Sequence, residues 1–385
     1  MTGFSNKFGE TSIRALPVES WRWLEEHLSD VKKQGVSHLS ALEGGGIVEK
    51  FEMAFAEISG AEYALAVSSG TAALHSALLA CDVGPGDEVI VSPYGWGQTV
   101  GSVLATGATP VFADIEPETG NLDPEQVQSV LSERTRVVLV THVHGLPADM
   151  KSLTDVCRKA GIKLVADAAQ ALGATYAGKP VGAWGDIACF SLGRGKVISA
   201  GEGGVAVTSD PDLLERMILV SQHPLRCLRE VEDPGLFNSV TELSQSYRFL
   251  PMAASAGLGQ IAQVNGVVEE KRATAARLSA HLQGLSSVEL PGDHGGAQHS
   301  YYFYVMRCCR DGSREEVLKI LLDKGVECQP GPVRSPIHFR PPFQQSPNTW
   351  FPKAYSSVTP HPTWNPGSCP VAERRCRIED LYLQL

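Results

Sequence analysis

Lys196 lies in a glycine-rich stretch, Ala188-Cys-Phe-Ser-Leu-Gly-Arg-Gly-Lys-Val-Ile-Ser-Ala-Gly-Glu-Gly-Gly204. The apolar runs 187–190 and 205–207 on either side predict two strands. A lysine held between buried strands loses hydration. Its pKa then falls, and the neutral amine becomes a nucleophile toward carbonyls. Asp167 ends an earlier apolar run, Lys163-Leu-Val-Ala166, and opens Asp-Ala-Ala-Gln170. One connection and one strand separate it from Lys196, so both side chains can reach one small ring. The turn Ser68-Ser-Gly-Thr71 follows a strand and opens a helix. Helix-start amides, the Ser69 and Thr71 hydroxyls and the bare Gly70 backbone suit a phosphate. Trp96, between Gly95 and Gly97, offers an accessible ring for stacking on a heterocycle.

An aldehyde for the lysine, a pyridine nitrogen for the carboxylate and a phosphate for the turn together describe pyridoxal 5′-phosphate (PLP). A carboxylate beside its ring nitrogen keeps that nitrogen protonated, so the ring can act as an electron sink. Each residue also has a plain structural use. Ser69 and Asp167 can cap helices, Trp96 can fill a core, and most lysines are solvated surface charges. His142 and His144 alternate on a predicted strand and so share a face, as a metal pair would. No carboxylate or thiol accompanies them at useful spacing, so no metal is assigned; they line the substrate mouth or are satisfied structural histidines.

These residues must be positioned by the surrounding elements. The 385 residues carry a net charge of -10, with 43% hydrophobic and 20% charged residues. This is the composition of a globular protein with a sizeable core, and no basic stripe points to nucleic acid. No apolar run is long enough to cross a bilayer, and the first residues lack a signal-peptide core. Nine scattered cysteines without a C-x-x-C pair fit reduced thiols in a cytoplasm. A helix is expected over Ser20–Lys33, capped by Glu19 or Ser20. A second is expected over Ile47–Ile58, with Phe51, Phe55 and Ile58 as its buried stripe. From Tyr63 strands alternate with helices: strands at 64–67, 88–91, 110–113, 135–141 and 163–166, helices at 72–81, 97–105, 124–132 and 150–160. That order predicts an α/β fold with a mostly parallel sheet covered on both faces, and ligands bound beyond the carboxyl ends of its strands.

After Gln245 the pattern changes. One long helix or two span Phe249–Leu282, with Lys271 and Arg272 on the wet face. Short strands (288–290, 301–305), a helix (314–324) and a proline-rich segment over 329–362 follow. We expect a large PLP-binding domain with an N-terminal arm over residues 1–265 and a smaller α+β domain over 266–385. The loops 222–245 and 329–362 are expected to set specificity.

From Gly44 to Leu282 the chain resembles the DegT/DnrJ/EryC1/StrS family of PLP-dependent aminotransferases. The likeness rests on Gly46-Ile-Val-Glu-Lys-Phe-Glu52, Ser69-Gly-Thr-Ala-Ala-Leu74, Gly84-Pro-Gly-Asp-Glu-Val-Ile-Val91, Gly107-Ala-Thr-Pro-Val-Phe-Ala-Asp114, Gly145-Leu-Pro-Ala-Asp-Met150, Asp167-Ala-Ala-Gln-Ala171 and Gly201-Glu-Gly-Gly204, in that order. The stretch 190–204 is most similar to the subgroup acting on cyclitol ketones such as scyllo-inosose and 2-deoxy-scyllo-inosose, and to 3-amino-5-hydroxybenzoate synthases. The resemblance implies PLP fold type I with a seven-stranded sheet, and a homodimer with its sites at the subunit interface. It implies transfer of an amino group from L-glutamine or L-glutamate to a keto-sugar, keto-cyclitol or related ketone, in an antibiotic-type pathway. Lyase or cyclase chemistry on the same scaffold is the alternative. Intact Lys196 and Asp167 speak against a non-enzymatic partner subunit.

By the same resemblance Lys196 attaches the cofactor and Asp167 meets its ring nitrogen. Gln170 lies near the phenolic oxygen and Trp96 stacks on the ring. Ser69, Gly70, Thr71 and Ser191 hold the phosphate. A family Asn-Tyr-Arg, reaching in from the neighbouring subunit, reads Ser246-Tyr247-Arg248 here. Arg194 stands where those subgroups carry an amide; a cation there would favour an acidic substrate or donor group, or simply face solvent. Relatives usually continue past the position of Leu385 with a further strand and helix.

Overall fold

The computed structural model describes residues 15–232, 235, 243–310, 313–344 and 365–383. Helix α1 spans Val18–Gln34, with Pro17 in the N-cap position. It starts two residues before the expected Ser20 because proline presets the backbone angle of a helix entry. Helix α2, Ile47–Ser59, buries Phe51 and Phe55, while Ile58 is only half-buried. The alternation then unfolds as β1 (Tyr63–Val67), α3 (Gly70–Ala80), β2 (Glu88–Val91), α4 (Gly97–Ala105), β3 (Thr109–Phe112), α5 (Pro124–Ser129), β4 (Thr135–Thr141), α6 (Met150–Ala160) and β5 (Lys163–Asp167). A small hairpin, β6 (Thr175–Tyr176) and β7 (Lys179–Pro180), precedes β8 (Ile187–Ser191) and β9 (Gly204–Thr208).

The main sheet has seven strands in the order β1-β9-β8-β5-β4-β2-β3. Neighbours from β8 to β3 are parallel, while β9 runs antiparallel to both β8 and β1. Side-chain alternation along β1 feeds two cores. Ala64 and Ala66 pack with Phe51, Phe55 and Phe190 on one face. Leu65 and Val67 pack with Leu74 and Leu78 of α3 on the other. Because β4, β5 and β8 are parallel and adjacent, their carboxyl ends bring Thr141, Asp167 and Ser191 to one edge.

The predicted long helix is two, α7 (Pro251–Ile261) and α8 (Val264–Leu282). Arg272 does not face water. It bridges elements, donating from Nε to the His299 carbonyl (2.8 Å) and from Nη2 to the Gly173 carbonyl (3.2 Å). A four-stranded antiparallel sheet follows, in the order β10 (Val288–Glu289), β12 (Tyr304–Cys308), β14 (Asp380–Leu383) and β13 (Gln329–Pro330). Helix α9, Ser313–Asp323, packs on it, and β11 (Ala297–Gln298) pairs with β6. The strand expected over 301–305 begins only at Tyr304, because Tyr301 is left-handed (φ 52°). The C-terminal strand β14 lies in the middle of the smaller sheet. Residues 345–362 of the proline-rich segment, and 233, 234 and 236–242 of the expected 222–245 loop, lie outside the described residues, and that loop opens instead with a helix over Pro224–Glu230. No described helix is long and apolar enough to cross a membrane.

Candidate active site

Four chain segments meet at the carboxyl edge of the sheet. The turn after β1 starts α3, where the Ser69 hydroxyl accepts the Ala72 N–H at 3.0 Å as an N-cap. The amides of Gly70 and Thr71 stand in the first turn, without intrahelical partners. Ser191, ending β8, lies against Gly70: a Cβ at position 70 would fall 3.0 Å from the Ser191 Cβ. The Ser191 hydroxyl accepts the Gly193 N–H at 3.3 Å. Gly204, at the start of β9, closes on the same turn so tightly that a Cβ there would lie 2.3 Å from the Ser69 carbonyl oxygen. Backbone amides, hydroxyls and bare glycines are thus gathered in a form that suits an anion.

Asp167 is 5% exposed, and both its oxygens are held. Thr99 of α4 donates its hydroxyl to Oδ2 at 2.6 Å, and the Ala169 N–H donates to Oδ1 at 3.1 Å. Burial pushes its pKa up; these two bonds and the Lys196 charge oppose that. Lys196 shows the converse. Burial pulls its pKa down to about 8, and the Asp167 charge partly restores it. Each group therefore feels the other across one site. Trp96, in the N-cap position of α4, is 47% exposed. Gln170 accepts the His144 N–H on Oε1 at 2.8 Å, which leaves its amide hydrogens to donate.

The two histidines do not form a shared face. The strand ends at Thr141 and His144 is left-handed (φ 60°), which breaks the alternation. His142 accepts the Ala148 N–H on Nδ1 at 3.2 Å, and His144 bonds Tyr94 through Nε2 at 2.9 Å. Both are buried, and His144 also lines a cavity with His299 and Arg375. Ser246 and Arg248 lie beside the end of β1: Val67 bridges to Arg248, and the Ser68 N–H donates to the Tyr247 carbonyl at 2.9 Å. Arg248 donates to the Ser246 hydroxyl at 2.6 Å. Arg194 is exposed.

Sequence reading missed Thr99 and Tyr302. Thr99 has a faint signal, a hydroxyl one helical turn beyond Trp96. Tyr302 has none, since its ring reaches Lys196 only through the fold.

The family model described as the DegT/DnrJ/EryC1/StrS aminotransferase family matches residues 25–360. The chain belongs to this family. It is a PLP-dependent aminotransferase, and the turn, the buried carboxylate and the desolvated lysine fit that cofactor. GDP-perosamine synthase of Caulobacter vibrioides is 34% identical over 302 residues, 78% of this chain and 79% of that protein. L-glutamine:2-deoxy-scyllo-inosose aminotransferase of Streptomyces fradiae is 39% identical over 272 residues, 70% of this chain and 64% of that protein. The crystal structure of 3-amino-5-hydroxybenzoic acid synthase superposes with a TM-score of 0.78 at 28% identity, covering 96% of this chain and 92% of that one. The aminotransferase has the same α/β architecture, a mostly parallel sheet with a smaller antiparallel one.

Proposed function

We propose that this aminotransferase moves an amino group from L-glutamine or L-glutamate to a keto-sugar, keto-cyclitol or related ketone in an antibiotic-type pathway. The observation that carries the assignment is the meeting, at one edge of the sheet, of buried Asp167, with both carboxylate oxygens already fixed, and the bare Gly70–Ser191 turn. The similarity to a glutamine-dependent cyclitol aminotransferase supports the substrate class. When bound, PLP supplies the electron sink that stabilises charge on the donor's Cα.

The protein's residues do the rest. Lys196 would attach the cofactor and, once free, would hold and move the donor's Cα proton as general base. Asp167 keeps the ring nitrogen protonated, and Gln170 donates toward the phenolic oxygen. Trp96 covers the ring, and Ser69, Gly70, Thr71 and Ser191 hold the phosphate. Ser246 and Arg248 act from the neighbouring subunit of a cytoplasmic homodimer, whose chains divide near residue 265 into a large and a small domain. Exposed Arg194 favours an acidic group on a substrate.

The test is a screen of amino donors and ketones, read as the mass of cofactor released from the protein. We expect conversion to the amine form with glutamine or glutamate, and its reversal by a cyclic ketone. Retention of the aldehyde form with every donor would overturn the reading.

A further inference from the structure

Lys196 has a neighbour that the proposed chemistry has not used. Among the described residues no hydrogen bond or ion pair to its Nζ is found, yet the residue is half-buried. The ring of Tyr302 lies beneath it, with Nζ 4.2 Å from the ring centroid. That ring is anchored on both sides. Ser300 donates its N–H to the Gly145 carbonyl at 2.9 Å, and its hydroxyl reaches the Gln170 carbonyl at 3.3 Å. Phe303 donates its N–H to the His144 carbonyl at 3.2 Å. Gly145 permits the approach, since a Cβ there would stand 2.9 Å from the Tyr302 nitrogen. The Phe303 ring packs against that of Tyr302, centroids 4.5 Å apart.

We propose that the face of Tyr302 is the resting place of the Lys196 ammonium whenever the lysine is not joined to the cofactor, which makes Tyr302 a further catalytic residue. The inference rests on Lys196 being the attaching amine. An aromatic face carries negative potential and attracts a cation but not a neutral amine. It therefore replaces part of the hydration that burial removes and favours the protonated form. In the reaction the neutral amine takes the proton from the donor's Cα and becomes an ammonium. The ring would hold that ammonium in place until it gives the same proton up again, which restores the amine. No other reactant is needed, and the phenol hydroxyl takes no part.

The test uses full-length apoprotein and follows the pH dependence of covalent PLP capture by absorbance, with Lys196→Ala as the blank. Wild type and Tyr302→Phe are expected to share a midpoint near that of Lys196. In Tyr302→Leu the midpoint falls by about half to one and a half pH units. Replacing Tyr302 with pentafluorophenylalanine, which keeps the ring's shape but reverses its polarity, gives at least as large a fall and serves if the leucine variant does not fold. An unchanged midpoint in both face-removing variants overturns the proposal, as does a Tyr302→Phe shift as large as theirs. Capture that persists in Lys196→Ala is a separate outcome: it refutes the assignment of Lys196 and leaves the wild-type ring contact without a catalytic meaning.

Discussion

Asp167 would lose its charge to burial if nothing compensated, and among its hydrogen bonds Thr99 contributes most to holding the carboxyl's pKa down. Replacing Thr99 with valine keeps the shape and deletes the hydroxyl. Hydrogen bonds to charged groups contribute about 1.5–3 kcal/mol, so a loss of roughly tenfold to a hundredfold in turnover is expected. The sign of the pH effect follows from the ionised form being required. With Thr99 removed the Asp167 pKa rises further, so the acid limb of the rate profile moves to higher pH. Thr99→Ser should restore the wild-type limb. A Thr99→Val profile that overlays wild type at reduced height would mean the hydroxyl only shapes the pocket.

At the level of elements, the turn proposed to hold the phosphate depends on β9 closing against it before α3. In Gly204→Ala the new methyl meets backbone, the Ser69 carbonyl oxygen and the Gly70 nitrogen at 2.3 and 2.6 Å, and neither can rotate away. Overpacking of this kind costs about 1–3 kcal/mol. We expect a lower melting temperature and weaker PLP retention, measured by dialysis; normal retention would show that the turn relaxes. The turn and the helix start at Ser69 were legible in the sequence because glycine, serine and threonine at a strand-to-helix junction announce local geometry. The strands were legible for the same reason, since Leu65 and Val67 alternate with Ala64 and Ala66 within one short segment. The contact of Tyr302 with Lys196 was not legible. It arises because a left-handed Tyr301 and a glycine at 145 bring together segments more than a hundred residues apart, and nothing in the local pattern marks that meeting. The two histidines misled for a related reason: alternation was extended past Thr141, where the chain had already left the sheet.

The two sheets are joined across the whole molecule by a buried polar cluster. Tyr94, on the loop that carries Trp96, donates its hydroxyl to Asp380 of β14 and bonds His144. Arg375 donates from Nε to both Asp380 oxygens, at 3.1 and 3.3 Å, and lies over the Tyr94 ring. Asp380 and Arg375 are 0% and 3% exposed, so solvent cannot replace a lost partner. Asp380→Asn removes the charge that balances the guanidinium while keeping the side chain's size. Breaking one half of such a pair costs roughly 3–5 kcal/mol, mostly from the charge left behind. The unfolding midpoint in urea should fall by a corresponding amount. Asp380→Asn combined with Arg375→Met should recover part of that loss, because no buried charge then stands alone. If the double variant is as unstable as the sum of the two single changes, the cluster is not acting as a charge pair, and the link between the Trp96 loop and the smaller sheet rests on packing instead.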